Sequence, residues 1–490
     1  MPAAKKKDKK TKSQPWRENI EALVMAVAVA ILFKYFILEI SKIPSGSMQP
    51  TLMGSPTTGI YDRIVVDKLS MRFRDPERFE IVVFKHPLEQ SRIMVKRLVG
   101  MPGEDFRIEY GDLWTRAHAD EPWNILRRPE SIMEGAWRRL DFEDVPSNSS
   151  SWQASRDTRD WRISGRSILA RGPGSAGFRT TQGSVRDLYT DGYHDSVRAE
   201  ISNEHGSSGR HPVGDLRLSG EVSAQAGAER IDLTLKEGML RYVFSLPVAG
   251  AAGDSKPSIS VLGPGRSDSQ TYTAAEDFAL EVDQSTRFCV ENLDDHLALR
   301  VEGELLLELD VQPVANQAGS VELAVEGKGA AFEDLQVYRD VYYYYPDRDN
   351  PRNVAGDPWV VTIPEGNYLM LGDNTQDSAD SRDWNFKSYT WTQDGKSLER
   401  KGNYRAGFNQ PNPRTALVGG LPGKSFRDEF GELHWFAEDA ISDEFPRRGN
   451  LPEDPSPAPL VPRELIIGRA LSVFWPLIPS RSMWRFGWLH

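Results

Sequence analysis

Short apolar runs with alternating polar residues recur along this chain and limit it to a mainly β fold. Runs rich in Val and Ile lie within residues 62–100, and Pro or Gly residues separate them. Further alternating runs, with turn residues between them, fill residues 188–345. Because side chains alternate between the two faces of a strand, this pattern predicts strands. The regular spacing over 188–345 predicts an inserted jelly-roll-like β-sandwich.

Length, charge and cysteine content narrow the classes of protein further. The chain has 490 residues, more than one ordinary hydrophobic core holds, so two or three domains are expected. Its formal net charge of −11 argues against nucleic acid as the main partner. Cys289 is the only cysteine, which excludes an intrachain disulfide and leaves no zinc-type spacing. We therefore predict no metal site and no cofactor.

The longest apolar run follows a lysine-rich start. Residues 22–33 are wholly apolar, and the run continues to Ile40 with only Lys34 and Glu39 charged. A helix of this length spans about 28 Å, close to the ~30 Å hydrocarbon core of a bilayer. We expect a transmembrane helix over residues 17–40. Basic residues before it predict a cytoplasmic N-terminus, with the catalytic domain on the outer, periplasmic side of the cell membrane.

Two other interpretations of this run stay open. A cleaved signal peptide also has a basic start, an apolar run and small residues such as those at 26–28. A helix buried in a protein core is the second alternative. The retained anchor is preferred because the motif that follows it fits a site beside a membrane.

Lys96 lies in a strand-like run, where its neighbours on the same face are Met94 and Leu98. A lysine can accept a proton near pH 8 only if its pKa falls by roughly 2–3 units from about 10.4. Burial between apolar side chains lowers the pKa in this way, because it disfavours the ammonium form. The alternative is an edge-strand lysine that reaches solvent.

Ser45 and Ser47 lie in a Ser-Gly-Ser segment with a proline on either side. This composition is also common in ordinary loops. The chain has no Gly-x-Ser-x-Gly motif, and none of its histidines lies in the setting of a serine triad. If Ser47 is a nucleophile, a Ser–Lys pair is therefore the alternative to consider.

Five motifs occur together in one order, at residues 43–52, 62–68, 80–84, 95–104 and 372–382. Their order and character resemble type I signal peptidases, the membrane-anchored Ser–Lys proteases of the bacterial leader peptidase family. The resemblance covers three blocks, residues 17–114, 359–386 and 461–476. It leaves the remainder of the chain unassigned.

The resemblance implies a role for each matching residue. Ser47 matches the nucleophile, and Lys96 matches its general base. Ser45 matches the hydroxyl that forms the oxyanion hole with the backbone N–H of Ser47. Ser378 matches a hydroxyl that orients the lysine amine. Asp380 and Arg382 match a structural ion pair that braces this loop.

The resemblance also implies the substrate: signal peptides of exported preproteins, cleaved after Ala-x-Ala. Small side chains would fit shallow apolar pockets, and the peptide would add a strand beside residues 43–45 and 93–95. The residues implied to line these pockets are Ile43, Pro44, Leu52, Met94, Val95 and Ala379. The lipid bilayer is the second partner implied.

The chain departs from the family pattern in two places. The Gly-Asp-Asn motif at residues 372–374 usually continues Arg-Asp-Asn, but here it continues Thr375-Gln376-Asp377. An arginine that could brace this loop is missing, so the loop must be held in another way. The second departure is size, since the segment between the first two blocks is much longer than usual.

These patterns predict a chain of seven segments. They are a basic cytoplasmic tail (1–16), a transmembrane helix (17–40), the first part of a signal-peptidase-type β catalytic domain (41–114), an insertion (115–345) containing the sandwich at about 188–345, the second catalytic part (346–386), a second insertion or long loop (387–462) and a catalytic C-terminal strand with its tail (463–490).

Two other functions remain open alongside the peptidase. One is a membrane-tethered binding protein that acts through the lectin-like sandwich, with a dispensable catalytic site. The other is a self-cleaving Ser–Lys relative of the SOS-repressor type. A carbohydrate or protein ligand of the sandwich is a further possible partner.

Overall fold

The structure is a computed structural model, and part of the chain is described by it. The described residues are 15–129, 132, 135–140, 151–156, 158, 160–180, 182–206, 209–251, 256–263, 270–314, 317–343, 358–393, 396–405, 411–418, 420–437, 449–450, 456–478 and 483–489. The predicted basic tail lies outside these residues except at Pro15 and Trp16. Parts of the predicted second insertion, 387–462, also lie outside them.

The N-terminal apolar run divides between a helix and a strand. Helix α1 covers Pro15–Phe36, and strand β1 covers Leu38–Lys42 and pairs antiparallel within a sheet. No helix in the described part of the chain is long and apolar enough to cross a membrane. The prediction of a transmembrane helix over 17–40 is therefore wrong, and so is that part of the predicted fold class. Leu38 and Ile40, which the prediction places in the span, belong to the sheet instead.

The strands that follow build the first part of the β structure. A short 3₁₀ turn at Gly46–Met48 comes directly after β1, and a second lies at Ser70–Arg72. The strands are β2 (Gly54–Ser55), β3 (Ile60–Tyr61), β4 (Arg63–Asp67), β5 (Ile81–His86), β6 (Glu89–Gly100), β7 (Asp105–Glu109), β8 (Asp112–Arg116) and β9 (Asn124–Ile125).

The central part of the chain forms two sheets around one core. The elements are β10 (Arg138–Arg139), β11 (Trp152–Ala154), β12 (Trp161–Ser164), β13 (Ser167–Ala170), β14 (Gly174–Phe178), α2 (Asp195–His205), β15 (Leu216–Ala224), β16 (Ala228–Glu237), β17 (Leu240–Pro247), β18 (Ser258–Leu262), β19 (Gln270–Thr273), β20 (Ser285–Leu293), β21 (His296–Val301), β22 (Glu304–Asp310), β23 (Gly319–Gly327) and β24 (Ala330–Arg339).

Alternating side chains explain how these two sheets pack. One sheet has the order β12-β13-β24-β15-β20-β21-β22, and the other has the order β11-β14-β23-β16-β17-β18-β19. Leu233 and Phe244 of the second sheet share one buried cluster with Val290 and Leu299 of the first. Burial of this apolar area is the main favourable term holding the two layers together.

The remaining strands return to the first part of the chain. They are β25 (Trp359–Thr362), β26 (Asn367–Leu371), β27 (Asn385–Gln393), β28 (Lys396–Asn403), β29 (Arg414–Val418), β30 (Leu421–Arg427), β31 (Leu433–Ala437), β32 (Gly449–Asn450), β33 (Ser456–Pro457), β34 (Leu460–Pro462), β35 (Ile466–Trp475), β36 (Leu477–Ile478), β37 (Met483–Trp484) and β38 (Gly487–Trp488), with a 3₁₀ turn at Arg463–Leu465. The protein is mostly β, as the alternating pattern predicts.

One sheet gathers segments from three distant parts of the sequence. Its order is β1-β4-β35-β5-β6-β26-β34, and β38 pairs with β35 at the side of this path. In the middle of it, β6 pairs with β5 through Val82 and Lys96, and with β26 through Arg97 and Leu371. The loop after β26 therefore begins beside Lys96. This register positions the candidate site.

Candidate active site

Ser47 lies in the 3₁₀ turn at Gly46–Met48 and is half-buried. Met48, the next residue, is buried and anchors the turn in a core cluster that also contains Ile43 and Leu52. Ser45 is exposed and precedes the turn in extended conformation. The chain thus presents two hydroxyls from a short turn whose ends are held by the core.

Gly54 permits the close packing behind this turn. A Cβ atom at Gly54 would lie 2.5 Å from the carbonyl oxygen and 2.7 Å from the nitrogen of Ser45. Real Cβ atoms do not approach backbone atoms so closely, so a larger residue would displace Ser45. Glycine at this position therefore follows from the close approach of two backbone segments.

Lys96 is fully buried in β6, with no exposed surface. Met94 and Leu98, its predicted neighbours, lie in one apolar cluster with Val82. The Nζ atom of Lys96 donates a hydrogen bond to Ser378 Oγ at 2.8 Å. The solvent-reaching lysine considered from the sequence does not occur. A buried amine that a serine hydroxyl orients is well placed to accept a proton from another hydroxyl.

Burial sets the proton affinity of this amine. Desolvation lowers the pKa of Lys96 to about 8 from its ordinary 10.5, while the nearby Asp380 carboxylate partly opposes that effect. Positive charge on Arg382 and Arg92 adds to the lowering. Lys96 is therefore neutral in a useful fraction of molecules slightly above neutral pH.

Gly372 brings Ser378 close to the turn that carries Ser47, the candidate nucleophile; the 3₁₀ turn at Gly46–Met48 is called the nucleophile turn below for that reason. A Cβ atom at Gly372 would lie 2.1 Å from Ser378 Oγ and 2.4 Å from the carbonyl oxygen of Ser47. The backbone N–H of Asn374 donates to that same carbonyl at 3.2 Å. The glycine thus lets the loop after β26 pass between the two serines, so that Ser47, Lys96 and Ser378 lie in one small region.

Asp380 and Arg382 form a buried ion pair within this loop. Arg382 Nε and Nη2 donate to the two carboxylate oxygens of Asp380 at 2.8 and 2.7 Å, and the N–H of Gly372 adds a bond at 2.9 Å. Burial by itself raises the pKa of Asp380, but Arg382 outweighs it and holds that pKa below its usual value. Because both side chains are buried, this contact is not a solvated surface ion pair.

A second buried ion pair, not anticipated from the sequence, joins β6 to the loop. Arg97 Nε and Nη2 donate to the carboxylate oxygens of Asp373, both at 2.8 Å, and Arg97 Nη1 donates to Phe79 O at 2.7 Å. Burial raises the pKa of Asp373, yet Arg97 brings it down to about 2. The sequence signal that could have indicated this pair is the arginine directly after the candidate base, on the opposite face of the same strand.

The C-terminal segment braces the residues that follow the turn at Gly46–Met48. Arg485 donates to both oxygens of the buried Asp62 carboxylate, with Nε to Oδ1 at 2.7 Å and Nη2 to Oδ2 at 2.6 Å. Its Nη2 also donates to Thr51 O at 2.9 Å, while Asp62 accepts the N–H of Met53 at 2.7 Å. The sequence analysis gives no reason to expect this contact.

The residues predicted to line the substrate pockets differ in burial and in the core clusters that they join, and their role stays a prediction. Ile43 and Leu52 are buried in one core cluster, against which the half-buried Val95 packs. Met94 is buried in a different cluster. Pro44 and Ala379 are exposed.

One group of possible metal ligands occurs among the described residues, away from this loop. Ligand atoms of Asp428, Glu432 and His434 lie within 4.8 Å of one another. Asp428 Oδ1 accepts the N–H groups of Phe430 and Glu432 at 3.1 and 2.8 Å, and its Oδ2 bonds His434 Nε2 at 2.8 Å. These hydrogen bonds stabilise the turn between β30 and β31, which is sufficient reason for the three residues to lie close together.

A serine turn beside a buried lysine amine defines a candidate hydrolase site, and comparisons with known proteins find similarity to a peptidase family. The profile of the family described as "Signal peptidase, peptidase S26" matches residues 16–131 and 317–390. These ranges contain Ser45, Ser47, Lys96 and Ser378. They leave out residues 132–316, and the second range includes the sandwich strands β23 and β24.

Curated relatives carry related names. Probable signal peptidase I-2 of a Synechocystis species is 39% identical over 115 residues, which cover 22% of this chain and 50% of that protein. Signal peptidase I of Leptolyngbya laminosa is 31% identical over 143 residues, covering 28% of this chain and 64% of that protein. The chain thus spans between half and two thirds of the length of these relatives. The matches confirm the resemblance to type I signal peptidases.

Solved structures align with the chain more weakly. A carbohydrate-binding module of Bacillus subtilis aligns over 38% of this chain and 95% of that module, with 12% identity and a TM-score of 0.25. A galectin of Caenorhabditis elegans aligns over 26% of this chain and 82% of that protein, with 9% identity and a TM-score of 0.20. Scores this low establish neither a shared fold nor a shared ligand.

Proposed function

We propose that this protein is an endopeptidase of the signal peptidase I type that cleaves signal peptides from exported preproteins. The observation that carries the proposal is the buried amine of Lys96, whose pKa is about 8 and whose Nζ lies 2.8 Å from Ser378 Oγ beside the Ser47 turn. The family match over the same residues supports it.

In the proposed mechanism, Ser47 Oγ attacks the scissile carbonyl while neutral Lys96 accepts its proton. The negative charge on the carbonyl oxygen is stabilised by the Ser47 N–H and the Ser45 hydroxyl. Collapse expels the new amino terminus, which takes the proton from Lys96, and leaves an acyl-enzyme on Ser47. Water then attacks that ester with Lys96 again as base, and Ser378 holds the amine in place through both steps.

The edge of β6 offers a place for an extended substrate. Residues 93–95 pair with β5 on one side, whereas β26 pairs with β6 only from Arg97 onward. Among the described strands, none covers the other side of residues 93–95. Ile93 is 57% exposed, and the nucleophile turn contacts β6. A peptide added here as a strand would run beside the turn that carries Ser47.

The alternative of a binding protein with a dispensable catalytic site is not favoured. The family match includes all four residues of the proposed reaction, Ser45, Ser47, Lys96 and Ser378. A carbohydrate or protein ligand of the sandwich stays a prediction. The predicted boundaries of the other segments also stay a prediction; only the transmembrane helix has been corrected.

Peptide specificity tests this function directly. We expect cleavage after the second alanine of a peptide containing Ala-x-Ala, located by mass spectrometry of the products. Replacing either alanine by Leu should reduce kcat/KM by about a hundredfold, since small pockets reject larger side chains. The Ser47→Ala protein is the control for contaminating proteases. Equal cleavage of the Ala and Leu peptides would contradict the proposed specificity.

The pH dependence of cleavage tests the role of Lys96. Only the neutral amine accepts a proton, so kcat/KM should rise with an apparent pKa of about 8 and fall about tenfold per pH unit below it. The measurement is kcat/KM from pH 6 to 10, with the melting temperature recorded at each pH to exclude unfolding. A profile that is flat over this range, or highest at pH 6, would rule out Lys96 as the base.

A further inference from the structure

We propose that Tyr189 and Tyr193 are positioning residues for the nucleophile turn, and that the inserted segment thereby completes the active site. The inference rests on the proposed function for its kinetic consequences, although its structural content can be tested without activity. Both tyrosines lie in residues 132–316, the part that the family profile does not match.

The first contact passes through Asn374. The side-chain nitrogen Nδ2 of Asn374 donates to Tyr189 OH at 2.6 Å and to Gly46 O at 3.0 Å. The backbone N–H of Asn374 donates to Ser47 O at 3.2 Å. Asn374 therefore holds the turn on both sides of the nucleophile, and Tyr189 fixes the orientation of the amide that does so.

The second contact passes through Gln49. Tyr193 OH donates to Gln49 Oε1 at 2.7 Å, and Gln49 Nε2 donates to Gly54 O at 3.2 Å. Both side chains are buried. Because the backbone of Gly54 packs closely against Ser45, this contact holds the far end of the turn. The two tyrosines thus act on the two ends of one short segment.

The central region also provides hydrogen-bond partners for the loop, which lacks the bracing arginine of the family motif. Thr375 Oγ1 donates to Tyr342 O at 2.8 Å, and Gln376 Nε2 donates to Asp187 O. Thr375 and Gln376 are two of the residues by which this chain departs from the family pattern. Asp187 lies in the part that the family profile does not match, whereas Tyr342 lies within the matched range that follows it. Both lie in the predicted insertion at 115–345, so this region supplies partners for the loop.

The tyrosines are themselves held by packing. The ring of Tyr189 stacks on His205 at the end of α2, with centroids 3.9 Å apart, and on Tyr193 at 6.1 Å. Tyr193 lies in a buried cluster with Val197 and Ile201 of α2 and with Met53. Burial raises the pKa of Tyr189 to about 12 and raises that of Tyr193 well above its usual value. Both hydroxyls therefore keep their protons throughout the working pH range.

Removing one hydroxyl at a time tests the proposal. Tyr189→Phe and Tyr193→Phe should each lower kcat about tenfold, the consequence of losing a buried hydrogen bond that orients the reacting group, while KM changes less than about twofold. Tyr272→Phe is the matched control. Its side chain is 39% exposed in the same sandwich and also makes one side-chain hydrogen bond, to Gln270. We expect wild-type kcat for this control.

A double-mutant cycle separates positioning from general stability. If Tyr189 acts through Asn374, Tyr189→Phe should lower kcat about tenfold in the wild-type background but less than about twofold in the Asn374→Ala background. Fully additive effects, or a kcat for Tyr189→Phe equal to that of the Tyr272→Phe control, would overturn the proposal. A loss of melting temperature with kcat unchanged would also overturn it.

Hydrogen–deuterium exchange provides a test that does not require catalysis. In the full-length Ser47→Ala protein, Tyr189→Phe and Tyr193→Phe should speed exchange within residues 46–54 and 372–376, whereas Tyr272→Phe should not. Unchanged exchange in these two segments would overturn the positioning role. If the wild-type protein cleaved no Ala-x-Ala peptide but exchange responded as expected, the proposed function would fail and the positioning role would stand.

Discussion

Replacing Ser47 by Ala or Lys96 by Met is expected to abolish peptide cleavage, with kcat/KM reduced by about 10⁴-fold or more. The nucleophile and its base act together, so removing either one should remove nearly all of the activity. The residual activities of the two variants should therefore be similar. The measurement is kcat/KM on the Ala-x-Ala peptide at pH 9, where Lys96 of the wild-type protein is mostly neutral. Near-normal cleavage by either variant would contradict the Ser–Lys assignment.

The two variants should differ in stability. The pKa of Lys96 falls from 10.5 to about 8 on folding, so below pH 8 the protein buries a charged amine at a cost of about 3 kcal/mol. This cost disappears as the pH rises from about 8 to 10.5, because the folded state loses its proton first. Lys96→Met removes the cost and should raise the melting temperature at pH 7, whereas Ser47→Ala should change it little.

A neighbouring lysine provides the matched control. Lys85 lies on β5, the strand paired with β6, and its side chain is exposed. Lys85→Met should leave both cleavage and stability close to wild type. If Lys96→Met were no more stable than Lys85→Met at pH 7, the buried charge inferred for Lys96 would be wrong.

Replacing either member of the Asp380–Arg382 pair is expected to destabilise the protein strongly and to move the pH profile in opposite directions. Each change leaves one buried charge without its partner, which typically costs about 3–5 kcal/mol. Asp380 raises the pKa of Lys96, whereas Arg382 lowers it. The acid limb of kcat/KM should therefore shift to lower pH in Asp380→Asn and to higher pH in Arg382→Gln.

Opposite shifts distinguish electrostatics from a damaged loop. Both variants should lose stability in chemical denaturation. A structural defect alone, however, would not move the acid limb of kcat/KM in opposite directions in the two variants. Asp377→Asn is a suitable control, since Asp377 lies in the same loop and is exposed. It should leave both properties unchanged. Shifts in the same direction for Asp380→Asn and Arg382→Gln would contradict the field attributed to this pair.

The mainly β fold and the surroundings of Lys96 could be predicted because both depend on residues close together in sequence. Strand alternation alone places Met94 and Leu98 on the face of Lys96, and the structure has them in one apolar cluster. The N-terminal span could not be predicted in the same way. Hydrophobicity does not tell whether Leu38 and Ile40 continue a helix or pair with β4, and pairing is what occurs.

What the sequence by itself determined is the set of chemical groups: a serine turn, a lysine between apolar neighbours, a Gly-Asp-Asn loop with its predicted ion pair, and the family these motifs resemble. Only the tertiary structure decided how that set is held. Arg97 meets Asp373, Arg485 meets Asp62, and Tyr189 meets Asn374 across long stretches of chain. Such contacts depend on which strands lie side by side, and no local pattern contains that information. Nothing in the sequence connects the long central insertion with the candidate site, yet in the structure it packs against the turn that carries Ser47.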